Sequence, residues 1–107
     1  MAEEKRQRFI VFGCFDDKCR ASEEYPIKLG SAGTEVVICA LNMQVEIDFG
    51  GNTPFIDPNS NHLKIAAGSC VKEIVKAPNG TDVFFNLTCG DGKHCKTPNV
   101  GPEMIVP

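Results

Sequence analysis

The strongest constraint on the fold is a run of alternating apolar and polar residues in the middle of the chain. Every odd position from Val37 to Phe49 is apolar, and the even positions from Asn42 to Asp48 are polar. Side chains of a β-strand point alternately to its two faces, so this period of two predicts a strand with one buried and one solvated face. The run is longer than an ordinary strand. We therefore expect one bent strand, or two strands run together, at the centre of an antiparallel sheet.

Further short strands are predicted on both sides of this run. Residues 9–12 are aromatic and β-branched, and residues 62–67 and 82–89 alternate between apolar and polar side chains. Pro26 restricts a strand over residues 25–29 to the edge of a sheet. Turns rich in glycine, proline and asparagine separate these segments, and almost none of the chain has helical periodicity. The sequence therefore predicts an all-β fold, either an antiparallel sandwich or a β-prism.

The two ends of the chain differ in composition from its middle. Residues 1–8 are charged and aperiodic, and the last twelve residues contain three prolines. A chain of 107 residues can bury one modest core. We predict an N-terminal extension over residues 1–24, a β-domain over residues 25–95 and an unpaired, proline-rich tail over residues 96–107.

Charge and hydropathy exclude two classes of partner. A net charge of −3 and an isoelectric point near 5.3 disfavour nucleic-acid binding, which requires a basic surface. No stretch approaches the roughly 18 consecutive apolar residues of a membrane helix, and the charged first residues lack the apolar core of a signal peptide. We expect no nucleic-acid partner, contact with a membrane only through a segment absent from this chain, and protein partners that the sequence does not identify.

The cysteines indicate an oxidising compartment. Six cysteines in 107 residues is a high density, and the even number permits three disulfides. Cys14 and Cys19 flank an acidic pair, so a local bridge between them could staple a turn. A zinc site built from Cys14, Cys19, Cys89, Cys95 and His94 has suitable ligand types, but neither cysteine pair has the C-x2-C spacing of zinc sites. We expect no bound metal.

Two N-x-[ST] sequences provide candidate glycosylation sites at Asn79 and Asn86. The residue between asparagine and threonine is not proline in either, so both sequences allow glycosylation. Asn86 falls on the predicted solvated face of the strand over residues 82–89, where a glycan can be accommodated. Together with the cysteines, these sequences favour an exported protein.

Catalytic motifs are missing from the sequence. It contains two histidines, and nothing in it resembles a nucleophile elbow, a phosphate-binding glycine loop or a metalloprotease helix. A cysteine nucleophile needs a nearby base, and His94 beside Cys95 is the single sequence neighbour of that kind. We expect a protein that is not an enzyme and uses no cofactor.

The order of several features resembles the first part of a luminal domain of the lysosome-associated membrane glycoproteins. An extended segment with a glycine turn at residues 25–30 leads to a cysteine that opens an alternating strand at 38–45. A Phe-x-x-Pro-Asn stretch at 55–59, Gly-Ser-Cys at 68–70 and a strand at 80–88 follow in the same order. The resemblance covers about two-thirds of the chain. Cys14, Cys19, Cys89 and Cys95 have no assured counterparts in the family.

This resemblance implies a disulfide between Cys39 and Cys70, a β-prism fold, and a domain of which the chain carries only part. It also implies location in the lumen of lysosomes or endosomes or at the cell surface, and a non-enzymatic role in shielding a membrane with glycans and contacting other proteins. Two alternatives stay open on the residues alone. They are a small secreted, disulfide-rich binding protein and a cytosolic thiol or zinc-binding protein.

Overall fold

The computed structural model of the protein describes residues 7–97 and 102–107, and these residues form ten β-strands and one short 3₁₀-helix. No α-helix occurs among them, so the predicted all-β class is confirmed. The 3₁₀-helix covers Pro58–Asn61. The strands are β1 (Gln7–Phe15), β2 (Lys18–Ala21), β3 (Ile27–Lys28), β4 (Glu35–Ala40), β5 (Val45–Asp48), β6 (His62–Ile65), β7 (Cys70–Ile74), β8 (Thr81–Phe84), β9 (Asn86–Cys89) and β10 (Glu103–Val106).

The strands form three sheets around one core. A four-stranded sheet has the order β2-β1-β4-β7, and two three-stranded sheets have the orders β3-β10-β8 and β6-β5-β9. β1 pairs with β4 and β3 with β10 in parallel, while the other strand pairs of the three sheets are antiparallel. β3 is an edge strand, as the proline at its start predicts.

The long alternating run becomes two strands in two different sheets. β4 ends at Ala40 and β5 begins at Val45, with a bend between them. In β5 the odd-numbered Val45 and Ile47 are buried, as predicted. In β4 the even-numbered Ile38 and Ala40 face the core and Leu41 is 56% exposed, so the predicted phase is wrong there. Because β4 is apolar at odd and even positions alike, its alternation cannot show which face is buried.

The alternation over residues 82–89 is confirmed, although this segment also divides between two sheets. Val83, Phe85, Leu87 and Cys89 are all buried, and Phe84 is exposed. β8 pairs with β10 and β9 pairs with β5, and the change of sheet occurs at Phe85. One buried face therefore continues from one sheet into the next.

The described parts of the predicted extension and of the predicted tail both contribute strands to the core. Ile10 and Phe12 of β1 are fully buried, so residues 7–21 form an inner strand and an edge strand of the four-stranded sheet rather than an extension. Met104 and Val106 of β10 are also buried, and β10 lies between β3 and β8. The apolar run in β10 is short and flanked by prolines, a pattern typical of an unpaired tail. Its hydrogen-bond partners, β3 and β8, are not adjacent in sequence. The parts of these predictions that concern residues 1–6 and 98–101 fall outside the described residues.

An aromatic cluster centred on Phe85 joins the three sheets. The Phe85 ring centroid lies 5.9 Å from that of Phe12, 6.2 Å from Tyr25 and 5.8 Å from Phe49. Phe49 in turn packs edge-on against Phe55 at 5.8 Å. Tilted and edge-on pairs of this kind are favourable aromatic geometries, and such rings bury large apolar areas. The Phe85 ring thus packs into the core at the residue where the chain passes from β8 to β9.

We expect Phe85→Ala to destabilise the protein by about 3–5 kcal/mol, because it empties the space where the sheets meet. The neighbouring Phe84→Ala is the matched control. It removes the same side chain from the exposed face, and in protein without glycans it should change stability by no more than about 0.5 kcal/mol. Urea unfolding followed by circular dichroism measures both. Equal losses for the two variants would contradict the central role of Phe85.

Candidate functional site

All six cysteines form disulfides, and the pattern staples sheet edges. Cys39 of β4 bonds to Cys70 of β7, the pairing that the family resemblance implies. This bridge attaches the edge strand β7 to its own sheet. The other two bridges are Cys14–Cys95 and Cys19–Cys89.

The Cys19–Cys89 bridge joins two sheets that share no ladder of backbone hydrogen bonds. Cys19 lies in β2, the edge of the four-stranded sheet, and Cys89 lies in β9, the edge of a three-stranded sheet. Both residues are fully buried, with Cα atoms 5.6 Å apart. Cys14–Cys95 lies beside it, and Cys19 N donates a hydrogen bond of 3.0 Å to Lys96 O. The first hairpin is therefore tied to the end of β9 and to the segment after it.

The local bridge that the sequence allows between Cys14 and Cys19 does not form. Asp16 and Asp17 have positive φ angles of 52° and 63°, so β1 and β2 are joined by a tight two-residue turn. This turn makes Cys14 and Cys19 register partners whose side chains share a face. That face points toward β9 and the loop after it, so each cysteine reaches a different partner there.

These disulfides remove the sulfur ligands of the zinc alternative. Cys14, Cys19, Cys89 and Cys95 offer no free thiolate, which is the form that binds zinc. Within residues 7–97 and 102–107 no group of three or more His, Cys, Asp or Glu side chains is placed to hold a metal. His94 Nδ1 instead lies 3.0 Å from Asp91 Oδ2 at the surface. Hydrogen bonds from the backbone amides of Lys93 and His94 lower the pKa of Asp91.

Both candidate glycan acceptors are exposed. Asn79 lies in the turn between β7 and β8, where the Thr81 hydroxyl donates a 2.6 Å hydrogen bond to Pro78 O. Asn86 is the first residue of β9, and both Asn86 and Thr88 point to solvent, as the strand pattern predicts. A glycan on either asparagine would leave the buried face of the chain undisturbed.

Two shallow cavities flank the exposed ring of Phe84. The first has a volume of about 350 Å³, and its lining includes Asp48, Asn52, Phe84 and Asn86. The second has a volume of about 470 Å³ and also contacts Phe84 and Asn52, with Asp82 among its lining residues. We call this pair of cavities the Phe84 groove. The groove is not among the predicted sites, although a phenylalanine on the polar face two positions before Asn86 is a sequence signal for it.

A third cavity, of about 380 Å³, lies against the Cys19–Cys89 bridge. Its lining includes Asp16, Lys18, Arg20 and Tyr25. The Tyr25 hydroxyl accepts a hydrogen bond of 3.2 Å from the Ala21 amide. Burial raises the pKa of Tyr25 above its ordinary value of 10.0, and this effect outweighs the hydrogen bond and the nearby Arg20 charge, which act in the opposite direction.

No protein-family model and no curated protein matches this chain. Within the part of the chain that the structure describes, no helix is long and apolar enough to cross a membrane.

The two nested bridges should be partly redundant. When the Cys19–Cys89 bridge is present, the Cys14–Cys95 bridge closes a loop of only about a dozen residues, formed by the segments 14–19 and 89–95. Cys14→Ala/Cys95→Ala opens this small loop, and Cys19→Ala/Cys89→Ala opens the same loop when Cys14–Cys95 is present. Each should cost about 3 kcal/mol, whereas removing both bridges should cost about 7 kcal/mol. The combined loss is a large part of the stability of an ordinary domain. Thermal and urea unfolding of the four proteins measure these costs. Strict additivity would contradict the nested arrangement.

The single tyrosine makes the pKa of Tyr25 directly measurable. Its raised pKa means that the folded state favours the neutral phenol. The resulting contribution to stability is fully present below the unfolded pKa of about 10 and is lost as pH rises through the folded pKa. We expect the phenolate absorbance of native protein to appear at higher pH than that of protein unfolded in urea. Coincident titrations would contradict the buried setting of this ring.

Proposed function

We propose that this chain is a non-catalytic, disulfide-bonded domain of a membrane glycoprotein of lysosomes or endosomes, exposed to the lumen. In this proposal it acts through a glycan-bearing surface that shields the membrane and contacts other proteins. The observation that carries the proposal is the use of all six cysteines in three disulfides, two of which join residues 70 and 81 positions apart. Small domains stapled in this way are typical of oxidising compartments.

The placement of the sequence motifs supports the choice of a glycoprotein. Asn79 and Asn86 are both exposed. Asn79 lies in a turn and Asn86 on the solvated face of β9, so glycans at these positions would extend from the surface without crossing the packed interior. A surface that carries two glycans on a chain of 107 residues is suited to shielding and to peripheral contacts.

The resemblance to the lysosome-associated membrane glycoproteins supports the specific compartment. The Cys39–Cys70 bridge that the resemblance implies links β4 and β7 as adjacent antiparallel strands. The bridges Cys14–Cys95 and Cys19–Cys89 lie outside that resemblance. If the chain belongs to that family, these two bridges are additional disulfides that the resemblance does not account for.

The surroundings of the histidines and thiols support a non-catalytic role. His62 lies 3.4 Å from Glu46 on an exposed strand face, and His94 pairs with Asp91 in an exposed loop. Neither histidine is held beside a free thiol, because all cysteine sulfurs are bonded to one another. Surface pairs of this kind lack the enclosed nucleophile and base of a cysteine hydrolase.

Mass spectrometry of the protein purified from its native host tests this proposal. We expect a mass decrease on treatment with peptide N-glycosidase and non-reduced peptides that contain the three disulfide pairs. Fractionation should place the protein with lysosomal or endosomal membranes. In a secretory expression host, Asn79→Gln and Asn86→Gln should each remove one glycan, and Asn59→Gln, at an exposed asparagine without the motif, should remove none.

Three outcomes would contradict different parts of the proposal. Free thiols without glycans would contradict export to an oxidising compartment. Recovery only from the medium, with no membrane-associated fraction, would favour the secreted binding protein. Hydrolase activity that is lost on reducing the disulfides and regained on their reoxidation would contradict the non-catalytic role.

A further inference from the structure

Phe84 is the most exposed large apolar side chain in the described part of the protein, at 65%. Its neighbours Val83 and Phe85 are buried, so the strand alternation turns its ring toward solvent. Single exposed apolar side chains are common and need no explanation by themselves. Phe84 differs because its ring stands between two cavities whose linings include carboxylate and amide side chains.

The lining of the Phe84 groove suits a sugar ring. A pyranose presents C–H groups on its faces and hydroxyl groups around its rim. The face of an aromatic ring attracts the former, and carboxylate and amide groups hydrogen-bond to the latter. Phe84 supplies an aromatic face, while Asp48, Asn52 and Asp82 supply polar groups on its two sides. Small-ligand sites commonly combine an aromatic surface with a small number of polar groups that point toward the ligand.

Asn86 places one particular sugar beside this ring. Phe84 and Asn86 are two positions apart and line the same cavity. Asn86 is also the register partner of Asp48, so the acceptor amide and the groove carboxylate lie on adjacent strands. A sugar attached to Asn86 is confined next to Phe84, and this confinement gives it a far higher local concentration than a free saccharide.

We propose that the Phe84 groove is the docking site of the first N-acetylglucosamine of a glycan on Asn86, with the sugar stacked on the Phe84 ring. The inference rests on the proposed function, which supplies the glycan. Attachment of the glycan forms a bond between Asn86 Nδ2 and the anomeric carbon of a lipid-diphosphate-linked oligosaccharide, whose bond to the diphosphate is broken. The amide proton and the lipid diphosphate are released. The docked sugar covers the exposed ring and stabilises the point where the chain passes from β8 to β9.

Asn79 provides an internal control. The residue two positions before it is Ala77, which is buried at 8% exposure and offers no aromatic face. Asn79 also does not line either cavity of the Phe84 groove. A glycan on Asn79 should therefore be independent of Phe84, although it is attached to the same domain by the same chemistry.

The test is a double-mutant cycle in the secreted full chain, in which Asn79→Gln leaves Asn86 as the single acceptor. Four proteins are compared: with Phe84 or with Phe84→Ala, each either glycosylated on Asn86 or carrying Asn86→Gln. Their melting temperatures are measured after mass spectrometry has verified that Asn86 carries a glycan in the two glycosylated proteins. With Phe84 present, we expect the glycan to raise the melting temperature by about 4 °C. In Phe84→Ala this increment should fall below about 1 °C. Trimming the glycan to one N-acetylglucosamine should preserve most of the increment.

The matched cycle on the Asn79 glycan, in an Asn86→Gln background, should show no dependence on Phe84. Nuclear Overhauser effects between the Phe84 ring protons and C–H protons of the first sugar provide a second measurement. Equal glycan increments in Phe84 and Phe84→Ala proteins, or absence of these cross-peaks, would overturn the docking site and leave the proposed function intact. A glycan on Asn79 but not on Asn86 would do the same. Absence of glycans from both asparagines would overturn the docking site and the proposed glycoprotein together.

Discussion

The structure depends on the covalent link between the edges of two sheets. Cys19 and Cys89 are buried in edge strands that share no backbone ladder, and Cys14–Cys95 reinforces the same junction. Edge strands present unpaired backbone groups and are natural points of weakness or association. A disulfide at such an edge limits the separation of the sheets in the unfolded chain and fixes their contact in the folded one. The non-covalent core is then required only to fill the space between them.

That space is filled around Phe85, which lies where the chain leaves one sheet and enters another. Its ring contacts Phe12, Tyr25 and Phe49, which come from distant parts of the sequence. Phe84, its immediate neighbour, has the opposite environment. A single strand crossing thus places Phe85 at the centre of the core and Phe84 at the surface beside the candidate glycan acceptor Asn86. In the proposed function, stability and surface chemistry are coupled at this crossing.

The features that can be predicted from the sequence are those that depend on local information. The buried positions of residues 82–89, the edge strand after Pro26 and the exposure of Asn86 follow from alternation and backbone geometry. An element that acquires its role from distant partners cannot be predicted in this way. The apolar residues of β10 are too few to predict a strand by themselves, and β10 exists because β3 and β8 supply its hydrogen-bond partners on both sides. The inward face of β4 is ambiguous for a different, local reason, since both of its faces are apolar.

The sequence by itself determined the all-β class, the polar and apolar faces of most strands, and the positions of the cysteines and of the two N-x-[ST] motifs, because these properties depend on neighbouring residues. The Cys39–Cys70 bridge was implied by resemblance to a family. Only the tertiary structure decided that Cys14 and Cys19 bond to residues 81 and 70 positions away and not to each other. It also decided that Phe84, Asp48 and Asn86 line one groove. Spacing along the chain does not show the partners of Cys14 and Cys19 or the approach of Asp48 to Phe84 and Asn86, because these contacts arise from the packing of strands that are distant in sequence.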